Sequence, residues 1–508
     1  MNLATFADRN LAEYGEYDRL VFEGKTYTNR ELHERSTRLA TALGRLGLVP
    51  GDKVVVLLPN CPEVLITFPA VWRAGMTAIP VLFLLEAHEL RYILENSEAR
   101  AIVTSPELLH KVESALAELG RQVEVIVAGP DAPPAYHGFD ALVAGSEPLA
   151  EAVPREKTDL ATLLYTSGTT GKPKGVMQTH GNLHANAMNA WNTATNRERN
   201  ETTLLVLPLA HTFGLSVVIS GYLFGGKAVL MRWFDPEGAL ALIQEHRVKG
   251  MAGVPTMFVY MLAHPNASRY DTSSVTRWLV GAAPMPTERL RAFEAKFGGT
   301  MYVGYGLTES CPGIAVEREG LPRKPGSTGP IMEGVEAKIV DDDARELPRG
   351  QVGEIIARGE NVSPGYYRNP EATKEAFRDG WLFTGDVGYL DEDGYLFIVE
   401  RKKDLIIRGG LNVYPKDVEE VLYRHPAVQE AAVVGVPDTN MGEEVCAYVV
   451  KKSGAEVTAE ELIGHSQASL AKYKTPRWVE FVSAMPKTTI GKIQKKELRR
   501  LAREKFAR

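Results

Sequence analysis

Residues 165–175 read Tyr-Thr-Ser-Gly-Thr-Thr-Gly-Lys-Pro-Lys-Gly, with four hydroxyl side chains, three glycines and two lysines in eleven positions. Glycine lets a backbone turn tightly and approach a ligand closely. Successive N–H groups exposed in such a turn form an anion-binding concavity. Hydroxyls add donors and lysines add charge, so the string describes a loop that holds a polyphosphate. A flexible surface loop is the plain alternative, and the density of the string argues against it. The loop is not of the Walker type. Pro173 follows Gly171 and Lys172, where a Ser or Thr is needed to hold Mg2+. Residues 161–165 are short and apolar, 176–179 also look strand-like, and a helix pattern starts only near Gly181. A Walker loop instead feeds directly into a helix. The pattern here predicts strand, phosphate loop, strand.

The surrounding chain repeats a strand–helix alternation. Residues 21–27 read as a small hairpin, and Thr28 and Glu31 have capping-box spacing before a helix bearing Leu32, Leu39, Leu43 and Leu46. Residues 53–58 form a continuous apolar strand, 63–74 a helix and 76–80 another strand. The pattern recurs at 204–207, 228–231 and 277–280. Buried strands alternating with helices indicate a parallel sheet covered on both faces. After about Gly320 short strands alternate with turns, at 337–340, 353–358 and 395–399, which reads as a β-rich subdomain. The charged run Glu400-Arg401-Lys402-Lys403-Asp404 lies between two apolar strands. Beyond it, residues 417–423 look helical and 431–436 and 445–450 extended. About a hundred residues can fold as a small domain of their own.

With 508 residues the chain is too long for one ordinary core. A formal charge of −6 gives no global pull toward nucleic acid or an anionic membrane. Cys61, Cys311 and Cys446 are far apart and imply neither a metal pair nor a disulfide framework. The first ten residues lack a signal-peptide layout, and no apolar run is long enough to span a bilayer. A soluble, cytoplasmic protein with small-molecule partners is expected.

Three further strings carry chemistry. In Gly304-Tyr305-Gly306-Leu307-Thr308-Glu309, the aromatic ring offers a stacking face for adenine. The carboxylate can hold Mg2+, a hard cation that prefers oxygen and keeps waters beside phosphates. Alone, this string could equally be any turn. In Trp381-Leu382-Phe383-Thr384-Gly385-Asp386, a carboxylate after a glycine turn can accept both hydroxyl hydrogen bonds of a ribose. Taken in isolation, Asp386 capping a turn and Arg401 as a solvated charge is the favoured reading. In Pro486-Lys487-Thr488-Thr489-Ile490-Gly491-Lys492, the final lysine would ordinarily be an exposed side chain.

All of these strings lie in the order and register of the acyl-CoA synthetases. The chain resembles the adenylate-forming enzymes, which include acyl-CoA synthetases, luciferases and peptide-synthetase adenylation domains. It looks most like bacterial medium- and long-chain fatty-acid–CoA ligases, through Gly409-Gly410-Leu411-Asn412-Val413-Tyr414-Pro415 and Asp386-Val387-Gly388-Tyr389. The resemblance implies an α/β fold. A large N-terminal domain of parallel-rich sheets flanked by helices, with a β-rich subdomain, would span residues 1–400. Residues 401–404 would be a hinge with Lys403 as its pivot. Residues 405–508 would form a small mobile α+β domain carrying the adenylating lysine.

The resemblance also implies the reaction. A carboxylate attacks the α-phosphate of ATP to give an acyl adenylate and pyrophosphate, and the thiol of coenzyme A then displaces AMP. Thr166, Ser167, Gly168, Thr169, Thr170, Gly171 and Lys174 would hold the β- and γ-phosphates. Tyr305 would stack on adenine, with Gly281, Ala282, Ala283, Gly304 and Gly306 lining the site. Thr308 would touch a phosphate, Glu309 would hold Mg2+, Asp386 and Arg401 would bind ribose, and Lys492 would bridge the acid and the α-phosphate. His211 and Phe213 would gate the acyl pocket, and Gly409 and Gly410 would line the coenzyme A path. Read from the residues alone, His211 is equally a buried histidine at a strand-to-helix turn. Ala282 stands where many relatives have glycine, and Arg408 either touches the pantetheine entrance or points to water. The basic stretch 495–505 reads as a solvated helix face, with contact to coenzyme A phosphates or to a membrane surface as lesser readings. A homodimer is left open. The acid is expected to be a medium- or long-chain fatty acid. Alternatives are an aryl or cinnamate-type CoA ligase, a carrier-protein loader, a luciferase-like oxygenase and, from another class, a non-catalytic nucleotide-binding protein.

Overall fold

The computed structural model describes residues 1–129, 132–166, 173–193, 201–487 and 493–506. Two sheets carry most of the chain. The first has seven strands in the order His137–Gly138, Glu124–Val127, Ala101–Thr104, Lys53–Leu57, Thr77–Pro80, Leu160–Thr166, Lys174–Thr179, all parallel except the last pair. The second has eight. Six inner strands run parallel, from Thr300–Gly306 through Arg277–Val280, Gly250–Gly253, Thr202–Leu205 and Lys227–Leu230 to Asp18–Phe22. An antiparallel strand, Gly313–Val316 or Lys25–Thr28, closes each edge. Fully buried aliphatic runs such as Val54, Val55 and Val56 are what a sheet packed on both faces requires.

The expected elements form. Thr28 caps the helix Asn29–Arg45 by accepting the Glu31 N–H, and Leu32, Leu39 and Leu43 are buried on one face. Leu46 falls one residue past that helix, and Gly47 follows in the left-handed region that stops it. The β-rich part is a five-stranded antiparallel sheet built on Gly353–Gly359, Trp381–Leu390 and Leu396–Arg401.

Past a single 3-10 turn at Lys402–Asp404, a second five-stranded sheet begins. It centres on Val428–Asp438 and Gly442–Lys451 and carries the helices Pro415–Arg424, Ala459–Ser469 and Lys495–Phe506. Among the described residues, none of the six buried apolar clusters joins side chains from before residue 400 to side chains from after 405.

Two lesser readings gain detail. The helix Lys495–Phe506 lays Leu498 and Ala502 against Ala432, Val434 and Val436, so the sheet covers its apolar side. On its polar side Lys495, Arg499, Arg500 and Lys505 each pair with a carboxylate inside the protein. Arg408 is partly exposed and does not line the cavity described below. Its Nε pairs with the buried Glu444 at 2.7 Å, and Nη1 donates to the Tyr473 carbonyl at 2.9 Å. No helix among the described residues is long and apolar enough to cross a membrane.

Candidate active site

One cavity of about 1140 Å3 runs from the phosphate-loop strands under the eight-stranded sheet. At its polar end, Thr166 pairs in register with Lys174 across antiparallel strands, so the two expected flanking strands form. Lys174 places its ammonium 5.1 Å from the centre of the Tyr366 ring. Thr166, Pro173 and Lys174 line the cavity. Ser167, Gly168, Thr169, Thr170 and Gly171 lie outside the described residues.

The second string ends the strand Thr300–Gly306 and enters a 3-10 turn at Thr308–Ser310. This delivers Gly304, Tyr305, Gly306, Thr308 and Glu309 to the cavity wall together. The Tyr366 hydroxyl donates to Glu309 Oε1 at 2.8 Å, and the Ser363 N–H donates to the Glu309 carbonyl at 2.8 Å. Burial, with the Glu309 charge beside it, pushes the Tyr366 hydroxyl far up. The Gln178 side chain holds the Thr308 carbonyl at 3.0 Å.

The third string is joined to the second. Gly385 takes φ +69°, a conformation open to glycine at little cost, and turns the strand so that Asp386 points inward. Asp386 is 4 % exposed. Its Oδ2 accepts the Tyr305 hydroxyl at 2.7 Å, and its Oδ1 lies 3.1 Å from Arg401 Nε, on the partner position of the adjacent strand. Burial works against the Arg401 charge, yet the carboxylates of Asp386 and Asp404 outweigh it and raise its pKa. Burial, reinforced by Asp386, pushes the Tyr305 hydroxyl well up. The favoured isolated reading, a capped turn and a solvated arginine, therefore gives way to a connected triad.

From here the cavity continues between the sheet and the helix Thr212–Phe224. His211 caps that helix, its Nδ1 accepting the Phe213 N–H at 3.3 Å. Phe213, Ser216, Val217, Ser220, Gly221 and Phe224 recur at helical spacing and face the cavity, while Leu215, Val218 and Ile219 pack into the core behind. The facing strands present Gly250, Ala252, Leu279 and Gly304. Alternation sends their neighbours Met251 and Trp278 into the apolar cluster on the opposite face. Small residues on both walls leave the space open. Gly281 and Ala282 line the cavity, and Ala283 does not. Ala282 holds φ +68°, where glycine would be at ease.

Arg401, Lys402 and Lys403 also reach the wall. Burial and the neighbouring Arg401 lower the Lys403 pKa. Gly409 and Gly410, at the tip of the hairpin formed by Ile406–Arg408 and Leu411–Val413, do not line the cavity. Lys492 lies outside the described residues. Tyr366, Gln178 and Arg19 were absent from the sequence reading; no local string marks them, because each meets the site only through folding.

A model of the AMP-binding enzyme family matches residues 7–367, and its C-terminal domain model matches residues 417–492. The chain belongs to the AMP-binding enzyme family. A long-chain-fatty-acid–CoA ligase of Bacillus subtilis is 37% identical, over 96% of this chain and 92% of that protein. A feruloyl-CoA synthase of an Amycolatopsis species is 39% identical, over 94% of each chain. Among solved structures, an anthranilate CoA ligase in complex with anthranoyl-AMP superposes with a TM-score of 0.94 at 30% identity, covering 99% of this chain and 97% of that one. This AMP-binding enzyme is an acyl-CoA synthetase by family and has the α/β architecture expected of one.

Proposed function

We propose that this synthetase activates a medium-chain carboxylic acid as its acyl adenylate and transfers the acyl group to coenzyme A. The observation that carries the reading is the continuity of the cavity. A polar end bounded by Thr166, Lys174, Glu309 and Arg401 opens into a narrow channel along the helix Thr212–Phe224. A carboxyl group at the junction, near His211 and Gly281, has phosphate-binding groups on one side and room for a carbon chain on the other.

In the first step a carboxylate oxygen attacks the α-phosphorus, the bond to the bridging oxygen breaks and pyrophosphate leaves. Both reactants are anions, so the barrier is largely electrostatic. Lys174 with the hydroxyls of the loop holds the β- and γ-phosphates, Asp386 and Arg401 hold the ribose, and Tyr305 borders the adenine. Asp386 is suited to this because Tyr305 and Arg401 already fix its orientation. Lys492 brings its ammonium to the α-phosphate. Among the described residues no group of three or more His, Cys, Asp and Glu could hold a metal by itself. A single Glu309 at the wall fits Mg2+, which takes few protein ligands and shares its shell with phosphates. When bound, the ion neutralises charge developing on the phosphates. In the second step the coenzyme A sulfur attacks the acyl carbon and AMP departs.

The second step needs a different arrangement. Gly409 and Gly410 stand off the cavity, yet their part of the chain is the one assigned to the coenzyme A path. We assign residues 1–400 to one domain, 401–404 to a hinge about Lys403 and 405–508 to a mobile domain, a division supported by the separation of the apolar clusters. Incubation with ATP, Mg2+ and acids from acetate to oleate, with benzoate and coumarate, tests the reading. Pyrophosphate exchange without coenzyme A and thioester formation with it are expected, with a maximum at medium chain length. A maximum at coumarate would make the chain an aryl-CoA ligase. ATP binding without exchange would make it non-catalytic.

A further inference from the structure

The far end of the channel is not apolar. Arg19 lines it and is only 5 % exposed. Its Nη1 donates to the Gly226 carbonyl at 2.6 Å, its Nε has no hydrogen-bond partner among the described residues, and its guanidinium lies 5.3 Å from the centre of the Tyr222 ring. The guanidinium rests against the helix Thr212–Phe224 where the helix has Gly221. A Cβ at that position would stand 2.6 Å from Arg19 Nη2. The neighbouring carboxylates are already engaged, Glu201 with Arg277 and Asp18 with Lys227 at 3.6 Å. A buried cation whose donors are incompletely partnered among the described residues is costly unless a partner arrives.

We propose that the preferred acid carries a second carboxylate at the end remote from the activated one, and that Arg19 binds it. This inference rests on the ligase reading above and names the substrate class of the same site. The register supplies the length. Val280 pairs with Gly253, and Leu20, Ala228, Thr203 and Gly250 share one level, so Gly281 and Arg19 lie five residue steps apart along the strands. Five steps are about 16 Å along the strands, and the four strand spacings between them about 19 Å across, so the two backbones stand roughly 25 Å apart before the Arg19 side chain closes part of the gap, which calls for an extended acid of about ten carbons or more. The reacting carboxyl sits at the Gly281 end and the second one meets the guanidinium through Nη2. A hydroxyl at the same end would fill the hydrogen bonds but leave the charge unmatched. A methyl would leave both.

The test compares kcat/KM for decanedioate, 10-hydroxydecanoate and decanoate in thioester formation, using the full chain with ATP, Mg2+ and coenzyme A. Decanedioate should lead decanoate by roughly tenfold or more, with the hydroxy acid between, because a site built for a polar group discriminates against the analogue lacking it. In Arg19→Met the ratio of decanedioate to decanoate should fall by roughly the same factor, the change appearing in KM more than in kcat. Equal kcat/KM for decanedioate and decanoate in the unaltered protein would overturn the proposal, whether or not Arg19→Met folds. So would a hydroxy acid preferred over decanedioate, or an unchanged ratio in a folded Arg19→Met. No exchange or thioester with any acid would instead bring down the ligase reading itself.

Discussion

The body of the molecule and its C-terminal sheet are held by different forces. Within the body, Val54, Ile66, Leu39 and Leu43 are fully buried in one apolar cluster, and the helix Thr212–Phe224 packs into the same cluster through Leu215. The contacts that cross to the C-terminal sheet include Arg289 donating to the carbonyls of Val428 and Gln429, at 3.0 and 3.1 Å. Lys487 donates to the Tyr260 hydroxyl at 3.1 Å, Lys416 to the Ile398 carbonyl at 2.7 Å, and Lys495 lies 3.6 Å from Glu400. Apolar burial is lost whenever surfaces part. A hydrogen bond can be exchanged for one to water at a net cost of about 1 kcal/mol. The body is therefore committed to one packing, while the C-terminal sheet is attached by contacts it can trade.

The comparison can be broken at several points. The largest effect is expected on the traded side. Lys492→Ala should lower adenylation by roughly 10²–10³-fold, as for other preorganised charges removed from a developing negative charge, while a supplied acyl adenylate is still converted to thioester. Pyrophosphate exchange and single-turnover thioester formation separate the two, and equal loss in both would mean that Lys492 serves both arrangements.

On the committed side, His180 is fully buried and its Nδ1 accepts the Leu3 N–H at 3.2 Å. Burial, with Arg155 adding to it, holds its pKa down to about 4. A depressed folded value makes the unfolded chain take up the proton first. Stability is then fully present above about 6.5 and is lost as the pH falls toward 4, by up to about 3 kcal/mol. Urea unfolding at pH 7 and pH 4.5 should show the loss, and His180→Gln should flatten it; an equal slope in the variant removes His180 from the account.

Asp386→Asn leaves Arg401 without its carboxylate. It should cost about 2 kcal/mol in ATP binding or stability, below the range for a fully buried pair because Arg401 is partly exposed. Titration with ATP and a thermal melt would divide the loss between the two. Lys403→Pro fixes φ near −65° and should cut thioester formation by on the order of tenfold, about 1.4 kcal/mol, with pyrophosphate exchange kept. Thioester formed at the original rate by a folded Lys403→Pro would end the hinge assignment. The smallest effect is Arg289→Ala, worth about 1 kcal/mol. It should make residues 405–508 more open to limited proteolysis without lowering the melting temperature of the body.

Local strings were legible where the chemistry and the backbone coincide. The strand Arg277–Val280 and the arrangement around the phosphate loop could be read because period and glycine placement are local properties. Asp386 and Arg401 were read as partners only through the resemblance, and strand register then placed them opposite each other. Tyr366 bonds to Glu309 across 57 positions of sequence, a distance no spacing rule spans. Arg408 was left between the pantetheine entrance and water because a charge beside two glycines names no partner, and the Glu444 it pairs with lies on a neighbouring strand that is remote along the sequence. Arg19 escaped notice for the same reason: a single arginine in a strand signals nothing until the helix with Gly221 folds over it.

The thin walls of the channel have a consequence of their own. A Cβ added at Gly250 would meet its nearest neighbour at 3.6 Å, and one at Gly304 likewise at 3.6 Å, both ordinary contact distances. Each position can therefore accept one methyl group without moving the backbone that presents Tyr305 and Glu309. The width of this channel is a dimension set by missing carbons, adjustable one carbon at a time, on the strands that present its walls. New acids can be admitted or refused by such an enzyme with no renegotiation of how it uses ATP.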